Sequence, residues 1–328
     1  MPLLIVKEDI TRVRADVIVN AANRNLRQGG GVCGAIFAAA GVAEMRAACD
    51  RIGSCPTGGA VVTPAFKLPA KYVVHAVGPI WLGGFQGEKA QLVSCYQKAL
   101  KLAAEKNAES IAFPLISSGI YGYPKEKAFR TAMEVISAFL KTREMAVYLS
   151  VYDPKAARPE PAAWAELLAC VSSGGQGLIA DGAAAPVADE LPSLDDMLSG
   201  FGEIEPADEP PAPVPTEGDF FGRVTDVMRK KGLGETAVCA ASNMSRRAFA
   251  ALRNHRKDVP DRRAALALCV GLGLNLGEAR ALLAVAGIAL DGHRRGDVIA
   301  AWHIARGEDI HALNAALYAF GEEQLAFL

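Results

Sequence analysis

Groups suited to a sugar–phosphate ligand crowd the start of this chain. Asp9 and Ile10 come first, then Asn20 and Asn23, then the run Gly29-Gly30-Gly31 followed by Val32 and Cys33. Asparagine is neutral and offers both a donor and an acceptor, which suits sugar hydroxyls rather than charge. Glycines that lead into a helix start expose backbone N–H groups that can meet a phosphate. A second loop of this kind, Ser117-Ser118-Gly119-Ile120-Tyr121, offers hydroxyls and N–H groups without charge. Tyr121 and Tyr123 can pack on a ribose or a base, or can anchor the loop half-buried. Neither loop is the dinucleotide fingerprint or the phosphate loop ending in Gly-Lys-Ser/Thr. Together they point to a nucleotide-like ligand with a diphosphate and a ribose.

Strands must hold these loops. Val17-Ile18-Val19 is a short apolar run of β-branched residues, the mark of a buried strand. The pattern predicts strands over 3–6, 18–20, 58–64, 72–77, 110–114 and 145–152. It predicts helices over 35–49 (broken at Gly41), 91–106, 126–141 and 161–171. Alternation of the two argues for an α/β protein with a mostly parallel or mixed sheet. Ligands of such sheets sit beyond the carboxyl ends of the strands, and both loops fall there.

The 328 residues allow two domains, and the formal net charge of −1 favours no particular partner. Charge is unevenly spread: residues 1–170 carry 20 basic and 14 acidic side chains, residues 171–218 carry 10 acidic and no basic ones, and residues 219–328 carry 15 and 12. Seven cysteines without a Cys-x-x-Cys pair, and five histidines without metal spacing, argue for free thiols and no metal site. The first residues have no basic stretch followed by an apolar one, and no apolar run reaches membrane-span length. The expectation is a cytoplasmic protein without a membrane partner.

Six segments carry a resemblance: Asp9-Ile10-Thr11, Val-Asn-Ala-Ala-Asn at 19–23, Gly-Gly-Gly-Val at 29–32, Cys-Pro-Thr-Gly at 55–58, His-Ala-Val-Gly-Pro at 75–79, and Ile-Ser-Ser-Gly-Ile-Tyr-Gly-Tyr-Pro at 116–124. In this order they resemble a macrodomain, the ADP-ribose-binding module, over residues 1–171. The resemblance implies a three-layer α/β/α sandwich with a mixed sheet and a cleft for ADP-ribose, free or attached to a protein or metabolite. It implies no cofactor. The nearest pattern is that of enzymes that remove ADP-ribose from acidic side chains and deacetylate O-acetyl-ADP-ribose. It implies that Asp9 accepts the adenine amino hydrogen beside the Ile10 N–H, although an aspartate there can equally cap a turn. Asn23 would hold the distal ribose and Asn20 would support its loop. Gly30, Gly31 and Val32 would cradle the phosphates from one side, and Ser117, Ser118, Gly119, Ile120 and Tyr121 from the other. Tyr121 would also cover the distal ribose. Tyr152 and Asp153 would stand near adenine.

The chain departs from that pattern at two positions. Cys33 stands where those hydrolases often carry aspartate, and Phe37 where histidine is often found. No carboxylate is then available at that position as a general base. Hydrolysis would be substrate-assisted, with Asn23, Cys33 and Tyr121 as the candidate catalytic residues, or the module would be a reader that binds without cutting. Cys33 at a helix N-terminus can be an activated thiol or a small buried residue. His75, on an apolar strand, reads as a core histidine rather than a base.

Residues 172–218 form an acidic, proline-rich linker, with helical spacing of apolar residues over 191–201. Residues 219–328 read as all helix: 220–230, 236–242, 245–257, 263–273, 277–286, 298–306 and 310–320. The stretch 220–290 resembles a helix-turn-helix domain. Its basic helix carries Arg246, Arg247, Arg253, His255, Arg256 and Lys257, a candidate DNA-binding face or a solvated one. A protein partner or a dimerising bundle is the other reading of this part; with a DNA-binding face the chain would be an ADP-ribose-sensing regulator acting through its C-terminal helical domain.

Overall fold

A computed structural model describes residues 2–179, 220–254 and 260–327. Most of the linker, its 191–201 segment, and His255, Arg256 and Lys257 lie outside the described residues. The chain forms two compact units. The first comprises Met1–Ala157 with Asn243–Arg246 and Tyr318–Leu328, and the second comprises Arg158–Ser242 and Arg247–Leu317.

In the first unit, β1 (Leu3–Val6), β2 (Val17–Ala21), β3 (Gly59–Pro64), β4 (Tyr72–Val77), β5 (Ser110–Pro114) and β6 (Ala146–Ser150) make one sheet in the order β1-β6-β5-β2-β4-β3. All neighbours are parallel except β3, which runs antiparallel to β4. The sheet is mixed, as its pattern predicts. Alternation along the strands feeds both faces. Ile18, Val73 and Val77 turn to α1 (Gly31–Ala40) and α2 (Val42–Ile52), meeting Ile36, Phe37, Met45 and Cys49 in one buried cluster. Val17, Val19, Val74 and Phe113 have the opposite parity and are fully buried. On that side lie α3 (Glu88–Glu105), with buried Leu92 and Tyr96, and α4 (Lys125–Leu140), with buried Phe129 and Ile136. The parallel, two-sided burial explains why these strands read as continuous apolar runs.

Two boundaries differ from expectation in ways that matter for the site. The first helix starts at Gly31, inside the glycine run, rather than at residue 35. Its first turn is Gly31-Val32-Cys33, so the loop glycines are themselves the helix N-terminus. β6 stops at Ser150, short of residue 152, because Val151 and the residues after it turn away into a loop and a 3-10 turn at Pro154–Ala157.

The described part of the second unit is helical: α5 (Pro161–Ser172), α6 (Phe220–Lys231), α7 (Glu235–Ala241), α8 (Arg246–Asn254, whose first residue belongs to the first unit), α9 (Arg262–Gly271), α10 (Leu276–Val285), α11 (Arg295–Arg306) and α12 (Ile310–Phe320, whose end returns to the first unit). Fully buried Trp302, Leu268, Leu283 and Leu313 make its core. Asp261 and Asn275 cap α9 and α10 through their side chains. No single described helix is long and apolar enough to cross a membrane.

Candidate functional site

A cleft of about 650 Å³ opens beyond the carboxyl ends of the parallel strands. Asp9, Ile10, Asn23, Gly30, Gly31, Val32, Cys33, Ser117, Ser118, Gly119, Ile120, Tyr121, Tyr152 and Asp153 all line it. Residues from four separate stretches of sequence are thus brought to one surface. Asn20 is not among them. It is fully buried behind the α1 start, where its Nδ2 donates to Cys33 Sγ at 3.7 Å. It holds the loop from beneath and touches no ligand space.

The cleft is dressed with unused donors. Gly31, Val32 and Cys33 occupy the first turn of α1, where no backbone acceptor precedes them. Gly30, the N-cap, makes no side-chain cap bond, and the first turn holds no acidic residue. The positive end of the helix dipole therefore stands unscreened. Across the cleft, the N–H groups of Gly119, Ile120 and Tyr121 have no acceptor among the described residues. The loop is fastened by its other groups. Ser118 Oγ donates to the Leu115 carbonyl at 2.8 Å, Gly122 N–H to Gly119 at 2.9 Å, and Tyr123 N–H to Ser117 at 3.0 Å. Ser117 sits at φ 67°, unusual for a residue with a side chain, and its buried Oγ has no partner. Strain of this kind gathers at ligand clamps.

Asp9 answers to both of its sequence readings. Its Oδ1 caps the turn, accepting from Thr11 N–H at 3.0 Å and Thr11 Oγ1 at 2.8 Å. Its Oδ2 and the Ile10 N–H have no partner among the described residues, and together they offer an acceptor beside a donor. Asn23 lines the cleft, with one donor and one acceptor site of its amide engaged and one of each left over. Nδ2 donates to the Arg27 carbonyl at 2.6 Å and Oδ1 accepts from Arg27 N–H at 3.1 Å. Its visible work is to close the turn that leads into the glycines. Cys33 is buried, with Sγ 3.7 Å from the same Arg27 carbonyl. Burial, and secondarily the nearby Cys33 thiol, raises the Tyr121 phenol above its ordinary range, so it stays a donor at neutral pH.

Among the other lining residues, two without a role assigned from sequence bear on the site. Lys125 opens α4 and reaches Asp153 at 3.0 Å, and that hydrogen bond holds the Asp153 carboxyl below the usual carboxylate range. Gly78 follows β4 directly; a Cβ there would lie 2.1 Å from Ser117 Oγ and 2.7 Å from Ile116 Cγ2. Only glycine lets the two loops close together. A glycine immediately after a buried strand was the available signal. Among the basic residues of the helical part, Arg246 pairs with Glu144 and Arg253 with Glu235 at 2.7 Å, while Arg247 is exposed. None of the three lines the cleft.

His75 is a core residue. Asn20 Nδ2 lies 3.1 Å from its Nδ1 and Thr63 Oγ1 lies 2.9 Å from its Nε2. With the amide as donor, Nδ1 accepts and the Nε2–H donates to Thr63. Burial pushes its pKa down to about 4. The folded state therefore binds this proton less readily than the unfolded chain. The neutral histidine's contribution is complete above pH 6.5 and is lost as pH falls toward 4. Unfolding free energy should drop by about 2 kcal/mol between pH 8 and pH 5 from this group. Urea titrations at both values check it, and His75→Gln should remove that part of the slope.

Comparison with known proteins places these features in context. A family profile described as "Macro domain" matches residues 19–132. A macro domain-containing protein of Methanosarcina mazei is 48% identical over 147 residues, which are 44% of this chain and 78% of that relative. A Klebsiella pneumoniae protein named O-acetyl-ADP-ribose deacetylase is 53% identical over 136 residues, 40% of this chain and 77% of its own. The Oceanobacillus iheyensis macrodomain, solved with ADP, is 39% identical with a TM-score of 0.44, over 46% of this chain and 84% of that one.

Proposed function

The chain belongs to the macro domain family, and from that premise we propose that its cleft binds ADP-ribose and hydrolyses an ester at the distal ribose. The observation that carries this reading is the pair of unpartnered N–H rows, Gly31 to Cys33 and Gly119 to Tyr121, lining one cleft. Uncharged donors of this kind take the diphosphate without a basic side chain. Asp9 Oδ2 and the Ile10 N–H take the adenine edge, where Tyr152 offers an exposed ring. Asn23 and Tyr121 stand at the distal ribose end. Cys33 supplies no carboxylate, and Asp153 is tied to Lys125. The water is therefore oriented by a phosphate oxygen of the ligand itself. It attacks the ester carbonyl, and the ribose oxygen leaves carrying a proton. The substrate is O-acetyl-ADP-ribose or a protein mono-ADP-ribosylated on an acidic side chain.

One observation favours a second reading. With Cys33 buried and bonded, the site holds no general base of its own where one is expected. A reader would bind and release ADP-ribose unchanged. Calorimetry with ADP-ribose, beside turnover of O-acetyl-ADP-ribose and of glutamate-linked mono-ADP-ribosylated protein, separates the two. Binding with turnover is the expected result. Binding without turnover leaves the reader, and no binding ends both.

A further inference from the structure

The outer edge of β1 is paired, but not by a strand. Leu3 N–H donates to Asn243 Oδ1 at 2.7 Å, and the Leu3 carbonyl accepts from Asn243 Nδ2 at 3.0 Å. At Ile5, the N–H donates to Gln324 Oε1 at 3.0 Å and the carbonyl accepts from Gln324 Nε2 at 2.7 Å. A carboxamide carries the same donor and acceptor as a peptide. These two side chains therefore stand in for a neighbouring strand along an edge that would otherwise stay open.

The residues that do this are themselves bound together. Asn243 Nδ2 also donates to the Leu325 carbonyl at 3.0 Å. Phe327 N–H donates to the Asn243 carbonyl at 3.2 Å, and Ser245 N–H donates to the Phe327 carbonyl at 2.8 Å. Asn243 is 1% exposed and adopts φ 51°, the left-handed region that asparagine tolerates best among residues with side chains. Asn243–Arg246 and Tyr318–Leu328 are thus a strap built into the first unit, although they come from the far end of the chain.

At the start of this strap, the Tyr318 hydroxyl donates to the Val151 carbonyl. Val151 is the residue directly after β6, and its N–H is already held by the Val6 carbonyl at 2.9 Å. Val151, Tyr152 and Asp153 line the cleft. The strap therefore fixes the peptide from which the Tyr152 wall hangs. Burial, with a smaller effect from Asp153, pushes the Tyr318 phenol up to about 12, so it remains a donor throughout the neutral range.

We propose that Tyr318 is a positioning residue for the Asp9–Tyr152 end of the cleft, acting through the Val151 peptide, and that the strap makes this end of the site depend on the C-terminal segment. The inference rests on the ADP-ribose reading for the identity of the ligand. It goes beyond the matched family residues, 19–132, which contain neither Tyr318 nor Val151. Because coupling between sites is reciprocal, ligand at this wall in turn stabilises the strap.

The test uses the full chain. Tyr318→Phe removes only a hydroxyl, so the core packing stays. It should weaken ADP-ribose and AMP by the same factor, about threefold to tenfold, the range one hydrogen bond supplies. Amide exchange should quicken at 151–157 and stay unchanged at 29–33 and 119–121. Equal quickening at all three segments would mean a general loss of stability and would overturn the positioning role, as would unchanged exchange at 151–157. Unchanged affinity for both ligands would overturn it too. Asn243→Ala should quicken exchange along β1, and an unaltered β1 would remove the strap. If the unmodified chain binds neither ligand, the ADP-ribose reading fails. Exchange at 151–157 in Tyr318→Phe then still decides whether the strap holds that wall.

Discussion

Gly34→Ala should lower ADP-ribose affinity by about tenfold to a hundredfold while the sheet stays folded. Gly34 lies in the second turn of α1, and a Cβ there would stand 2.6 Å from the Gly29 carbonyl oxygen. That atom is backbone, so no rotamer change relieves the clash. The loop 29–31 or the helix start must move by a sizeable fraction of an ångström. The N–H groups of Gly31, Val32 and Cys33 then no longer meet the diphosphate together with those of Gly119 to Tyr121. Displacements near 1 Å in positioning groups cost on the order of a hundredfold. Calorimetry reads the loss, and urea unfolding reads the fold. Gly234→Ala serves as the control, because its Cβ would meet nothing within 4 Å. Retained affinity in Gly34→Ala would mean that the helix start is not the phosphate site.

Asn23→Ala should reduce turnover about a hundredfold, with a smaller loss of ADP-ribose affinity. The two bonds from its amide to Arg27 close the turn 23–27, and Arg27 in turn accepts from the Cys33 thiol. Losing this latch frees the segment that sets the glycine loop against the distal ribose, and attack geometry suffers more than binding. Cys33→Ser is the counterpart and should stay within about threefold of the unmodified rate, since a hydroxyl can keep the bond to the Arg27 carbonyl. A Cys33→Ser variant without turnover would make the thiol itself a catalytic group and would sink the substrate-assisted route. Single-turnover kinetics on O-acetyl-ADP-ribose separates the chemical step from release in both variants.

The site was legible in unequal parts. Asp9, the glycine run and the Ser117–Tyr121 loop could be read because each is a local pattern: a strand, then residues that free the backbone. The true start of α1 has no local signal, because a helix entered through glycine has no capping side chain to announce it. Asn23 could be assigned to the cleft, but not its latch on Arg27, since turn closure depends on where the next residues fold. Lys125 carried no signal, because its meaning comes from Asp153, and only the β5–β6 neighbourhood brings the two within 3.0 Å. Asn243 and Gln324 looked like ordinary polar residues in the helical part and the tail.

By itself, the sequence determined the alternation of strand and helix, the mixed sheet and the identity of the two loops, because apolar periodicity and glycine placement act on the backbone within a few residues. The tertiary structure alone decided which loops line one cleft, that Asn20 lies under the site rather than in it, and that β1 is closed by carboxamides from the helical part and the tail. Those facts depend on tertiary pairings that no local pattern sets, up to 319 positions apart for Ile5 and Gln324. A polar side chain has no fixed role until the fold settles whether water, a ligand or an unpaired strand edge lies beside it.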